Sequence, residues 1–352
     1  MTDSKWIEID GSHGEGGGQM VRSSLALSMV TGKRVRIENV RAGREKPGLM
    51  RQHLTCVQAA AEISGAKVTG DKLGSTAITF EPCEVKPGDY HFRIGTAGSA
   101  SLVLQTLLPA LIIGETPSTI VVEGGTHNTH APPFEFLQKA FVPLVNRMGP
   151  SIQLSLEQYG FYPAGGGEVR ATIQPSTFLK AFDIVERGDI VRRQVSSVVS
   201  HLPMHIAERE VDVIQRGLNW DTSETLCESV RARCPGNYLW IEMESQHVTE
   251  VITGFGRLNV KAEIVARDAM DEARAYIKAD VPVGIHLADQ WMLPLAISAW
   301  QSRQQGVQGG GKFTTQPLTL HSTTHLSIIE KFLGLKPTIE SQEHRTQLVC
   351  IA

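Results

Sequence analysis

The stretch WIEIDGSHGEGGGQMVRSSLALSMVTG, residues 6–32, sets both the fold and the chemistry of this chain. A short apolar strand, Trp6 to Ile9, runs into the turn Gly14-Glu15-Gly16-Gly17-Gly18-Gln19. An apolar helix over Gln19–Thr31 follows and carries Arg22. Strand Arg34–Val40 then empties into Arg41, Arg44, Lys46 and Arg51. Glycines let backbone N–H groups approach phosphate oxygens closely, and arginine forks pair with those oxygens two at a time. One carboxylate in a glycine-rich turn, faced by several guanidinium groups, is what a site for metal-bound polyphosphate needs. The plainer account is a tight strand-to-helix turn beside a solvated basic stretch, and one glycine-rich turn does not separate the two.

Working outward, hydrophobic periodicity repeats the order of elements. After strand Arg34–Val40 the pattern predicts a helix from Pro47 to Ser64, with Pro47 in the first turn, then strands at Lys67–Thr69 and Ala77–Glu81. A second copy gives strand Tyr90–Ile94, helix Ala100–Ile113, strand Ser118–Glu123, helix Pro133–Met148 and strands Ser151–Leu156 and Glu168–Ile173. A third, from Gly284, has a poorly marked first strand, helix Asp289–Trp300, strand Lys312–Thr319, helix Thr323–Leu333 and strands Thr338–Ser341 and Thr346–Ile351. The fold class expected is therefore α+β, with three βαβαββ units in a large domain over residues 1–181 and 280–352. The stretch between, residues 182–279, breaks the periodicity and reads as a smaller inserted α/β domain. Its elements are a charged strand region at Asp183–Val198, helix His205–Leu218, strands Ser223–Ala232, Tyr238–Ser245 and Val248–Thr253, and helix Lys261–Lys278.

A chain of 352 residues exceeds one typical core, which fits this division. Its net charge of −3 excludes bulk coating of nucleic acid, so any RNA must be held by a local basic patch. Five scattered cysteines show no zinc spacing and point to free thiols in a reducing compartment. Met1–Lys5 lacks the apolar core of a signal peptide, and the longest apolar run, Leu102–Ile113, is interrupted by Gln105 and Pro109. A cytoplasmic protein without a membrane segment is expected; nothing in the sequence sets its oligomeric state.

Each candidate side chain has a structural and a chemical reading. Glu15 suits a divalent ion, or simply the dipole of the helix it precedes. Arg41, Arg44 and Arg51 crowd a helix start, where cations oppose the dipole, so an anion should compensate them. Gln105 needs a partner for its amide in an apolar helix, whether core or ligand. Asp289 and Gln290 open the third-copy helix, where Asp289 fits an N-cap. Gly165-Gly166-Gly167 stand between strands and read as a hairpin or bulge. His321 is expected just before the last helix and His325 inside it, an arrangement that disfavours a metal pair. A histidine at such a loop end can serve as nucleophile or general base.

Taken together, DGSHGEGGGQMVRSSLALSMVTG, RAGREKPGLMRQHL, GTAGSASLVLQTLLPAL, GFYPAGGGEV, HIAERE, HLADQ and the HSTTH segment resemble the RNA 3′-terminal phosphate cyclase family over nearly the whole chain. The resemblance implies fold units like the C-terminal domain of translation initiation factor three. It implies ATP and Mg²⁺ or Mn²⁺ as cofactors and RNA with a 3′-terminal phosphate as substrate. It also implies a ligase-type reaction: a histidine is adenylylated, AMP passes to the RNA 3′-phosphate, and the 2′-hydroxyl closes a 2′,3′-cyclic phosphodiester. Carried over by position, His321 matches the nucleophile, Asp289 the group that orients it, and Glu15 the metal-binding carboxylate. Gln105, Pro132, His286, Leu287, Ala288, Asp289 and Gln290 match the nucleotide pocket; Arg22, Arg41, Arg44 and Gln52 match phosphate- and RNA-end-binding positions. The chain departs from the family at His286, usually a tyrosine, and at Thr324-His325, usually Thr-Asn. His127, His130 and the stretch Gly254–Val260 also differ. Two alternatives stay open: a cyclase-like rRNA-processing protein lacking cyclase activity, and an enolpyruvyl transferase, which is also built from repeated sheet-and-helix units.

Overall fold

The structure, a computed structural model, describes residues 5–220 and 224–352; residues 1–4 and the expected strand start at Ser223 lie outside the described residues. The chain begins with β1 (Ile7–Asp10), α1 (Gly18–Thr31), β2 (Val35–Glu38), α2 (Arg51–Ser64), β3 (Lys67–Thr69) and β4 (Ile78–Glu81). These strands form a sheet in the order β1-β2-β4-β3. β1 and β2 are parallel, which requires a crossover, and α1 supplies it. β5 (Asp89–Arg93), α3 (Ala100–Leu111), β6 (Ser118–Gly124), α4 (Phe134–Phe136), a π turn (Leu137–Phe141), α5 (Val142–Arg147), β7 (Ser151–Gln158) and β8 (Gly167–Gln174) come next. Their sheet runs β5-β6-β8-β7, again with the first pair parallel.

A third sheet and a fourth follow. β9 (Ile190–Ser200), α6 (His205–Leu218), β10 (Glu224–Ser229), β11 (Gly236–Ser245), β12 (Thr249–Phe255) and α7 (Ala262–Ala279) make a sheet in the order β10-β9-β11-β12. After α8 (Ile285–Gln305) come β13 (Gly311–Thr315), α9 (Leu320–Leu333), β14 (Thr338–Ser341) and β15 (Gln347–Ile351), ordered β13-β15-β14. The weakly marked first strand expected there is a single parallel bridge, Val283 to Thr315. The whole is a mixed α+β fold. One hydrophobic cluster runs from Ile9 to Ile351, and another, from Val195 to Val281, lies between the sheet of β9–β12 and helices α6 and α7. α1 is buried on nearly every side because it packs on α2, α3 and α9 at once. No helix of the described residues is long and apolar enough to cross a membrane.

Four local expectations are corrected. Helix α2 starts at Arg51, not Pro47, because the Arg41 guanidinium takes the Lys46 and Gly48 carbonyls and keeps that stretch a loop. The helix over Pro133–Met148 is interrupted by the π turn, just ahead of Pro143, whose missing N–H forbids a regular α-helical bond there. α8 begins at Ile285, so Asp289 lies in its second turn and is no N-cap. α9 begins at Leu320, because Thr319 caps it by accepting from Ser322 N at 3.2 Å, and His321 is therefore helical.

Candidate active site

Three helices far apart in sequence meet at one carboxylate. Asp289, buried on α8, accepts at Oδ1 from Gln19 Nε2 of α1 (2.7 Å) and from His321 Nδ1 of α9 (2.9 Å), and at Oδ2 from Gln290 Nε2 (2.8 Å). His325, one turn beyond His321, brings its Nδ1 to 3.0 Å from the Asp289 carbonyl and 3.5 Å from Oδ1. Burial pushes the Asp289 carboxyl up, but hydrogen bonds from His321 and His325 overcome it and hold the group far below the usual carboxylate range. The carboxylate is thus ionised and saturated with donors. His321 is about one-third exposed. With Nδ1 committed to Asp289, the ring's other nitrogen, Nε2, is left to face a reactant.

The glycine turn is locked onto the same helix. Gly14 has a φ of +60°, and a Cβ there would strike the Thr324 hydroxyl. That hydroxyl accepts from Glu15 N at 3.1 Å and donates to the Leu320 carbonyl at 2.7 Å. The Glu15 carboxylate pairs through Oε1 with the Arg44 guanidinium, while its Oε2 is buried with no hydrogen-bond partner among the described residues. An orphaned buried carboxylate oxygen beside a glycine-rich turn fits a hard divalent cation such as Mg²⁺ or Mn²⁺.

Beside it the arginines surround a buried histidine. A Cβ on Gly18 would collide with the His53 imidazole, so this glycine admits the ring. His53 Nδ1 accepts from Met50 N at 3.3 Å. Burial, reinforced by the charges of Arg22, Arg41 and Arg44, pushes His53 down to about 3. Burial first, and the neighbouring positive charges second, keep this imidazole neutral. Arg41 itself bonds the Lys46 carbonyl at 2.7 Å and the Gly48 carbonyl at 2.8 Å, so it shapes the loop. Gln52 accepts from Ser99 N at 2.7 Å and braces the start of α3.

Arg22, Gln19, Gln105, Gln290, Asp289 and His325 form the polar end of a cavity of about 50 Å³. Gln105 donates its amide to the Gln290 side chain, so its partner comes from α8 rather than from α3. Pro132 and His286 do not line this cavity; His286 is exposed and lies 3.5 Å from Glu272 of α7. The side chains of Leu287 and Ala288 are fully buried, so they offer a ligand no surface and brace α8 from within. Gln19 and His53 were given no role by the sequence, and Thr324 was noted only within the Thr324-His325 pair. Gln19 closes the glycine turn and was visible there, but its partner lies 270 residues away.

A family model described as RNA 3′-terminal phosphate cyclase matches residues 13–339. The RNA 3′-terminal phosphate cyclase of Koribacter versatilis (strain Ellin345) is 48% identical over 339 residues, covering 96% of this chain and 93% of its own. That of Ralstonia nicotianae (strain ATCC BAA-1114 / GMI1000) is 46% identical over 337 residues, covering 96% and 94%. A solved structure, the enolpyruvyl transferase NikO from Streptomyces tendae, is 13% identical with a TM-score of 0.37, covering 98% of this chain and 48% of its own, a likeness too slight to bear on function. The chain is an enzyme of the ligase type. It belongs to the RNA 3′-terminal phosphate cyclase family.

Proposed function

We propose that this chain converts the 3′-terminal phosphate of RNA to a 2′,3′-cyclic phosphodiester at the expense of ATP, through adenylyl-histidine and RNA-(3′)pp(5′)A intermediates. The observation that supports this most is the 2.9 Å contact of His321 Nδ1 with the ionised Asp289, which makes Nε2 the available lone pair. A phosphate monoester oxygen is a poor leaving group, and joining AMP to it makes it a good one. In the first step Nε2 bonds to the α-phosphorus of ATP and the bond to diphosphate breaks. Asp289 keeps the Nδ1 proton in place and offsets the positive charge that grows on the ring. In the second, an oxygen of the RNA 3′-phosphate takes the AMP and frees the imidazole. In the third, the 2′-hydroxyl bonds to the 3′-phosphorus, AMP departs, and the hydroxyl proton passes to a base.

Arg22, Arg41, Arg44 and Gln52 serve the RNA end, two by charge and two by shaping the walls: Arg41 through the loop, Gln52 through the α3 start. Gln105, Gln290, Pro132 and His286 serve the nucleotide. Glu15 Oε2 would hold Mg²⁺ or Mn²⁺, which when bound neutralises phosphate charge. The cytoplasm is the proposed setting, in keeping with the free cysteines. We also read three sheets as copies of one βαβαββ unit resembling the C-terminal domain of initiation factor three, supported by the matching orders β1-β2-β4-β3 and β5-β6-β8-β7 and by β13-β15-β14 with its added bridge. A division into residues 1–181 with 280–352 and an inserted 182–279 is supported by the separate hydrophobic cluster.

Incubation with α-labelled ATP and Mg²⁺ or Mn²⁺ tests the chemistry. Acid-labile, base-stable AMP should appear on the wild type and be absent from His321→Ala and Glu15→Ala. Label surviving in His321→Ala overturns the nucleophile assignment.

A further inference from the structure

Asp289 faces two imidazoles of α9, and only His321 has a part in the chemistry above. His325 is buried, and its Nδ1 lies 3.0 Å from the Asp289 carbonyl. A carbonyl only accepts, so Nδ1 carries the hydrogen and Nε2 cannot reach this partner. Nε2 is itself buried at the cavity without a hydrogen-bond partner among the described residues. The ring is therefore spent on one task, gripping residue 289 by its main chain and, at 3.5 Å, by Oδ1. The grip falls on a weak point of α8, because Pro294 denies the Gln290 carbonyl its helical donor and loosens that turn.

We propose that His325 is a positioning residue that fixes the turn and rotamer of Asp289, and thereby holds His321 in the tautomer with hydrogen on Nδ1. Its consequence for rate rests on the adenylyl-histidine reading; its consequence for the tautomer does not. An asparagine at this position sets its amide nitrogen where Nδ1 stands, whereas a leucine fills the volume and donates nothing.

Nitrogen-15 NMR of the histidine rings in the ligand-free protein, with single-turnover adenylylation and circular dichroism, tests this. In the wild type His321 should be the Nδ1–H tautomer. In His325→Leu the two tautomers should mix and adenylylation should slow about tenfold, with the KM for ATP within about twofold. His325→Asn should restore the tautomer, and the rate to within about threefold of wild type. A folded His325→Leu protein with the wild-type tautomer overturns the proposal, as does an Asn variant no better than Leu. Loss of the tautomer in Leu and its return in Asn, with no AMP on any variant, supports the positioning role while overturning the adenylyl-histidine reading.

Discussion

The Asp289 centre and the arginine loop are neighbours on one surface of α1, yet they are built in opposite ways. Around Asp289 every charge has been answered: Gln19, Gln290 and His321 all donate to one carboxylate. Around His53 cationic groups gather instead: burial, and after it the charges of Arg22, Arg41 and Arg44, bring that imidazole down to about 3. A saturated carboxylate orients one nitrogen, while a surplus of guanidinium awaits an anion from outside. On the function proposed above, the first region prepares a nucleophile and the second a landing place for phosphate. Each works because it lacks what the other has.

Three changes break or sharpen that contrast. The largest effect should come from Asp289→Asn, which offers Oδ1 or an amide but no charge, and should slow adenylylation of His321 by about 10²–10⁴-fold in single-turnover assays. A loss under tenfold would mean the ring needs no such partner. Next, Arg44→Ala should lower RNA-dependent turnover by about 10–100-fold and adenylylation by less, measured on the same preparation. Equal losses in both would move Arg44 from the landing place to the nucleotide, a reading that its pairing with Glu15 keeps open to test. The smallest effect concerns stability. His53 is neutral when folded down to about 3, whereas the unfolded chain protonates it below about 6.5, so its contribution is complete above about pH 6.5 and is lost as pH falls toward about 3. The urea midpoint of the wild type should drop between about pH 7 and about pH 5, and that of His53→Gln should drop less. Equal drops would show that the folded protein does not hold His53 below its ordinary range.

What the sequence made legible was local. The glycine turn, α1 and the strands on either side were in place because backbone freedom and apolar periodicity act over a few residues. The start of α9 was readable to within a turn: the helix was expected from Thr323 and begins three residues earlier at Leu320, where Thr319 caps it by accepting from Ser322 N. The start of α8 was not readable, because its N-terminal Gly284 N–H is taken by the buried carboxylate of Glu250, 34 residues earlier. Pro47 looked like a helix start and became loop, since a side chain six residues upstream bonds the carbonyls on either side of it. Gln19 and His53 escaped for one reason: each gains its meaning from groups on other elements, and no spacing announces them.

Glu15 gives its backbone N–H to a hydroxyl 309 residues further along, on α9. A ribosome releases the glycine turn early and Thr324 only when synthesis is well advanced. Until that moment the Glu15 N–H lacks this acceptor, so the glycine turn receives its anchor only once α9 has been made.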